Sequence, residues 1–290
     1  MTEPSTLRVK QWPNRLERPV LILGMEGWID AGFGGAAAVN ALLADNTTEP
    51  LATFDSDLLL DHRARRPIMH IDNGINTGLT WPEITLRWGT NRSGRSLLLL
   101  VGPEPDMRWR QFTGEVVALG RQLGVELVVG LGAFPAPAPH TRPVRLSSTA
   151  TTPELAQAVG FLPAVIDVPA GIHASLERAF GDAGVPAVGL WSQVPHYAAA
   201  MPYPAASAAL LDKLAGMAGI EVDSTGLHRA AGQTHAQIEQ LIANSEEHQA
   251  MVRQLERQVD QQPPPAGLGP LPSGDELAAE LERFLRGEQQ

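Results

Sequence analysis

Two acidic residues four apart, Glu26 and Asp30, lie in the glycine-rich segment GMEGWIDAG. Carboxylates held close together repel as anions, so one pKa rises and its owner can act as an acid. Asp30 is also placed to cap a following helix by accepting backbone N–H groups of its first turn, and capping is the stronger reading. His140 and His196 fall in expected strand-end loops, where an imidazole that titrates near neutrality can act as a general base. Ser192 stands four residues before His196. A working Ser–His pair also needs an orienting acid and an oxyanion hole, and no G-x-S-x-G turn accompanies this serine. Asp30, His140 and His196 are the candidate catalytic residues, without a complete machinery around them. The balance is against an enzyme and leaves the question open.

Polar residues recur where strands are expected to end: Glu26, Asp30, Asp55, Asp57, Glu104, Arg108, Arg142. In open α/β sheets ligands bind outside the carboxyl ends of the strands, so Glu26, Asp30, Asp55, Glu104, Arg108 and Arg142 form the candidate ligand set. The bland alternative is that surface turns are rich in such residues anyway. Asp61-His62-Arg63 with Arg65 and Arg66 could hold a carboxylate or phosphate through Arg, but reads better as a subunit interface. The glycine loop fits neither GxxxxGK[ST] nor GxGxxG, so nucleotide binding is not expected there. The eight histidines are scattered and no HExxH occurs, so neither a metal site nor a cofactor is expected.

The elements that must position these groups read as α/β. Val20–Leu23 is a short, wholly apolar run suited to a strand buried on both faces. A small-residue helix is expected over Gly34–Ala44, then strands over Leu51–Phe54, Ile68–Ile71 and Ser96–Val101. A helix over Trp109–Leu123 and a strand over Val125–Leu131 follow. Further on, Val144–Ser147 and Ala187–Trp191 read as strands, and Pro153–Val159, Ser175–Ala183 and Ala205–Ala218 as helices. Strands alternating with helices predict right-handed crossovers and a mixed, largely parallel sheet flanked by helices.

The C-terminal part differs. From Leu227 to Val259 an apolar ladder advances by alternating steps of four and three, the seam of one long helix against a partner helix, as in a coiled coil. Ser224 would cap it, and Ser245 and His248 would form a polar layer in the seam. The organisation expected is an α/β core over residues 1–222, a long helix over 223–262, a proline-rich linker over 263–273, and a short capped helix over 274–290.

Composition narrows the functions. The net charge is −10, with 22 Lys and Arg against 32 Asp and Glu, a poor basis for neutralising phosphates, so no nucleic-acid partner is expected. The 43% hydrophobic content supports a sizeable core. There is no cysteine, which rules out disulfides and thiolate chemistry. No secretory h-region or spanning apolar run is present, so a cytoplasmic protein without membrane contact is expected. The six tryptophans read as core or interface anchors.

The segments GMEGWIDAG, DSDLLLDHRARRP, GPEPDMRW, GLGAFPAPAPHTRP and WSQVPHYAAAMPYP, in this order and at strand ends, resemble the actinobacterial branch of the proteasome assembly chaperone 2 family, over roughly residues 18–260. The resemblance implies a core similar to the purine nucleoside phosphorylase fold. It supplies no established catalytic residues. It implies a homo-oligomer, a trimer being favoured, and protein partners such as proteasome subunits. The reading put first is an oligomeric assembly factor or scaffold. The alternatives are a phosphorylase- or hydrolase-like enzyme, or a small-metabolite binder, using the strand-end loops.

Overall fold

The computed structural model describes residues 4–261; the expected linker over 263–273 and helix over 274–290 lie outside the described residues. Ten strands form: β1 Leu7–Val9, β2 Val20–Glu26, β3 Thr48–Phe54, β4 Ile68–Asp72, β5 Ile75–Thr80, β6 Ile84–Thr90, β7 Ser96–Pro103, β8 Leu127–Ala136, β9 Leu146–Ala150 and β10 Ala187–Pro195. The helices are α1 Gly34–Asp45, α2 Ser56–Leu59, α3 Trp109–Gln122, α4 Pro153–Val159, α5 Ile172–Asp182, α6 Pro204–Ala218, α7 Thr225–Ala243 and α8 Glu246–Asp260.

Eight strands make one sheet in the order β1-β3-β6-β7-β2-β8-β10-β9, and β4 and β5 make a separate hairpin. The centre, β7-β2-β8-β10, is parallel, with antiparallel wings at both sides. The run VLIL shows why the centre is apolar throughout. Leu21 and Leu23 enter the core with Phe112 and Leu176, on the side of α3 and α5. Val20 and Ile22 enter the opposite core with Val39 and Leu210, on the side of α1 and α6. A strand covered on both faces has no polar side to show.

Two expectations need correction. The strand ending at Phe54 was expected within a parallel succession. It pairs antiparallel with β6 instead, in register Phe54 with Ile84, because β6, whose buried positions are interrupted by Arg87 and Trp88, intervenes between β3 and β7. The single long C-terminal helix is in fact two helices. The chain breaks at Asn244, and the Ser245 side chain accepts the His248 N–H at 3.3 Å as an N-cap of α8. The local capping bond outcompetes a continued helix at these two residues. Ile238, Val252, Leu255 and Val259 of the ladder are buried, but Leu241 and His248 are exposed. α7 packs along α6 with Ile238 in a core shared with Val194 and Tyr203, and α8 returns against α7, so the seam is buried within the chain.

Candidate functional site

The C-terminal ends of the parallel strands gather the polar candidates on one edge. After β2, Gly32 takes a positive φ of 62°, and a Cβ there would lie 2.6 Å from the Tyr203 Cβ. The turn is tied down by Gly32 N–H to the Ala199 carbonyl and Tyr203 N–H to the Gly32 carbonyl, at 2.8 and 2.9 Å. It delivers Asp30 to α1, where its two carboxylate oxygens accept the N–H groups of Gly35 and Ala36 at 2.8 and 2.9 Å. Burial pushes the Asp30 carboxyl up, and these two N–H groups pull it part of the way back. Both oxygens are thus occupied by the helix. Glu26 is exposed, and its backbone carbonyl receives the Glu104 N–H at 2.9 Å.

The other acidic candidates also hold backbone. Glu104 accepts the Ile172 N–H at the start of α5, 3.1 Å away. Asp55 accepts the Asp57 N–H at 3.1 Å and pairs with Arg8 at 2.5 Å. Arg108 precedes α3 in the left-handed region, φ 55°, with only a 3.5 Å approach to Gln111. In the charged run, Arg65 pairs with Asp106 at 3.3 Å and His62 with Asp57 at 3.1 Å.

Ser192 and His196 do not form a pair among the described residues. Ser192 is fully buried, its hydroxyl directed at the Gly132 carbonyl at 3.4 Å, whereas His196 is exposed and meets the Tyr197 ring edge-on.

His140 is the best-connected candidate. Its side chain is 1% exposed and its Nε2 lies 3.1 Å from Glu239 Oε1. Its Nδ1 lies 2.7 Å from the Tyr197 hydroxyl, which also accepts the His140 backbone N–H at 2.8 Å. A carboxylate only accepts, so Nε2 carries the proton, Nδ1 accepts from the Tyr197 O–H, and every group is satisfied. Burial pushes the His140 pKa down, against the pull of Glu239. Next to it, Arg142 clasps Asp260 with two bonds at 2.8 and 2.7 Å and Glu256 with one at 3.3 Å. Thr141 donates to Glu256 at 2.6 Å. His140 thus joins α7, and Thr141 and Arg142 join α8, to the loop after β8. A cavity of about 260 Å³ lies between this loop and α7, lined by His140, Arg142, Val144, Tyr203, Thr234 and His235 among others.

One histidine escaped the sequence reading. His173, in the first turn of α5, takes the Met25 N–H on Nε2 at 3.1 Å, and burial pushes its pKa down to about 4. No local pattern pointed to it, because its partner Met25 lies 148 residues away. No group of three or more His, Asp or Glu among the described residues could hold a metal ion. No helix among them is long and apolar enough to cross a membrane.

The same edge carries exposed apolar side chains: Trp28 and Phe33 after β2, and Met107 after β7. Phe33 itself sits in the left-handed region at φ 55°, a strained conformation for a bulky residue.

Fold and site define an α/β protein whose strand-end polar groups cap and clamp its own elements while apolar side chains face outward. The sequence profile of the PAC2 family matches residues 24–242, and the chain belongs to that family. It is similar to a Mycobacterium tuberculosis protein of unknown function, with 34% identity over 90% of this chain and 92% of the other, TM-score 0.80. It is also similar to a Mycobacterium tuberculosis proteasome-assembly chaperone homologue, with 34% identity over 80% of this chain and 99% of the other, TM-score 0.74. An archaeal proteasome activator from Pyrococcus furiosus shares the fold at 17% identity, over 81% of this chain and 98% of the other, TM-score 0.61. No curated protein matches the chain.

Proposed function

We infer that this protein is a cytoplasmic assembly factor. In this reading a homo-oligomer, with three copies favoured, presents its strand-end edge to the apolar surface of unassembled protein subunits such as those of a proteasome. The observation that carries the reading is the exposure of Trp28, Phe33 and Met107 on the edge where an enzyme of this architecture would hold its substrate. The family's proteasome-assembly chaperone homologue supports the choice of partner. The polar candidates on that edge are engaged in caps and clamps, which fits recognition better than turnover.

Native mass spectrometry with isolated proteasome α-type and β-type subunits tests this. A specific complex is expected, and Trp28→Ala with Phe33→Ala is expected to weaken it by about 30-fold or more, as for loss of interface anchors. No complex with either subunit type, or undiminished binding by the double variant, overturns the reading. A second reading, a small-metabolite site, is favoured by the cavity beside His140, where the Tyr203 side chain is 5% exposed. The same spectra decide it: a retained mass of a few hundred daltons lost on Tyr203→Phe supports it, and a bare protein mass goes against it.

A further inference from the structure

The hairpin β4–β5 stands apart from the main sheet, and no residue in either of its strands is buried. Its turn is well made, with Asn73 and Gly74 both at positive φ, as a tight hairpin requires. Its side chains are the anomaly. Ile68 and Ile75 are 65% and 67% exposed, and Met69, Ile71, Leu79 and Trp81 are exposed with them. A lone two-stranded hairpin is marginal in water, and this one presents apolar side chains to solvent throughout.

A second segment has the same need. Residues 160–171, between α4 and α5, form no helix or strand before Ile172. Phe161, Leu162, Val165, Ile166 and Val168 are all exposed, Val165 completely at 105%. Each segment exposes roughly 600 Å² of apolar residue, the hairpin's divided between its two faces because strand neighbours such as Ile68 and Met69 point opposite ways. Each is also close to the ~800 Å² that one partner contributes to a standard interface.

We propose that the hairpin of one copy docks on the 161–168 segment of a second copy of this chain, head to tail, and that the repeated contact closes a ring. The count of surfaces argues for this geometry. A hairpin-to-hairpin contact would cover one surface and leave the 161–168 segment bare in every subunit. A head-to-tail contact uses both surfaces once per chain, and ring closure leaves neither in water. Both segments are nearly free of charge: the hairpin carries Asp72 and His70 and the loop carries Asp167, so little charge would have to be desolvated in the contact. The inference rests on the oligomeric part of the proposed function and names the surface that produces it.

The test uses two variants of the full chain, Ile71→Asp with Ile75→Asp in the hairpin, and Val165→Asp with Ile166→Asp in the loop. All four positions are exposed within the protomer, and circular dichroism verifies that both variants stay folded. Light scattering after gel filtration is expected to give a ring for the parent and monomers for each variant. Mixed in equal amounts, the two variants should form a 1:1 dimer and nothing larger. The intact hairpin of one still fits the intact loop of the other, and every other junction is broken. A monomeric parent, a variant that keeps the parent's mass, or a mixture that stays monomeric overturns the proposal. Binding of proteasome subunits by the monomeric variants is read separately, so loss of the ring and loss of partner recognition are distinguishable.

Discussion

His173 accepts the Met25 N–H on Nε2, and burial holds its pKa near 4, against 6.5 for the free side chain. Below pH 6.5 the unfolded chain binds a proton that the folded chain refuses. The stability is therefore complete above about pH 6.5 and is lost as the pH falls toward 4, by up to about 3 kcal/mol at the bottom of that window. His140, also pushed down by burial, acts in the same direction. Asp30 and Glu177 are pushed up by burial, so they act in the opposite direction, favouring the folded state as the pH falls. Urea denaturation of the parent at pH 7, 5.5 and 4.5 should show the loss. His173→Gln should start less stable at pH 7 and lose less on acidification. An unchanged slope in the variant would place the effect elsewhere. The capping reading of Asp30 was legible in the sequence because a carboxylate just before a helix start commonly accepts the N–H groups of its first turn. The environment of His140 was not, since Tyr197 and Glu239 are 57 and 99 residues away.

Besides their buried apolar face, the C-terminal helices are tied to the loop after β8 by a few polar contacts. Arg142 reaches Asp260 and Glu256, Thr141 reaches Glu256, and the Arg145 guanidinium donates to the Val259 carbonyl at 3.1 Å. The Arg142 bonds hold the Asp260 carboxyl below the usual carboxylate range. Arg142→Met keeps much of the side-chain bulk and removes the fork. It is expected to raise hydrogen exchange across residues 246–260 while the amides of β8 and β10 stay protected, because α8 lies outside the two main cores. Equal acceleration in α8 and β8 would mean that the clasp supports the whole fold. At this scale the heptad ladder did mark the buried face of α7 and α8. It could not show that Ser245 caps a new helix, because alternating steps of four and three continue across the break.

For the whole molecule, the apolar hairpin and the 161–168 segment are left exposed by the described residues of one copy. An association driven by apolar burial does not weaken as salt screens charge. The ring's mass is therefore expected to hold between about 0.1 and 1 M NaCl. Dissociation at high salt would instead assign the contact to the charged run from Asp61 to Arg66. A ring would also repeat the edge bearing Trp28 and Phe33 around one axis, which suits an assembly factor that must hold several similar subunits.

Local chemistry in the sequence determined the central strands and most of the helices, because buried parallel strands and glycine turns leave strong traces over a few residues; the family showed only in the resemblance of whole segments and their order, and the profile match bears it out. Ile84–Thr90 left a weaker one, since Arg87 and Trp88 interrupt its apolar pattern, and with it went the antiparallel wing. Only the tertiary structure decided which polar groups meet. It assigned Asp30 to a helix start, separated Ser192 from His196, enclosed His140 between Tyr197 and Glu239, and folded α7 back on α6 and α8 back on α7. It also showed that the apolar residues of the hairpin and the 161–168 segment are exposed within one copy. The physical reason is range: propensity and capping act within a few residues, whereas burial and side-chain pairing depend on segments brought together from far along the chain.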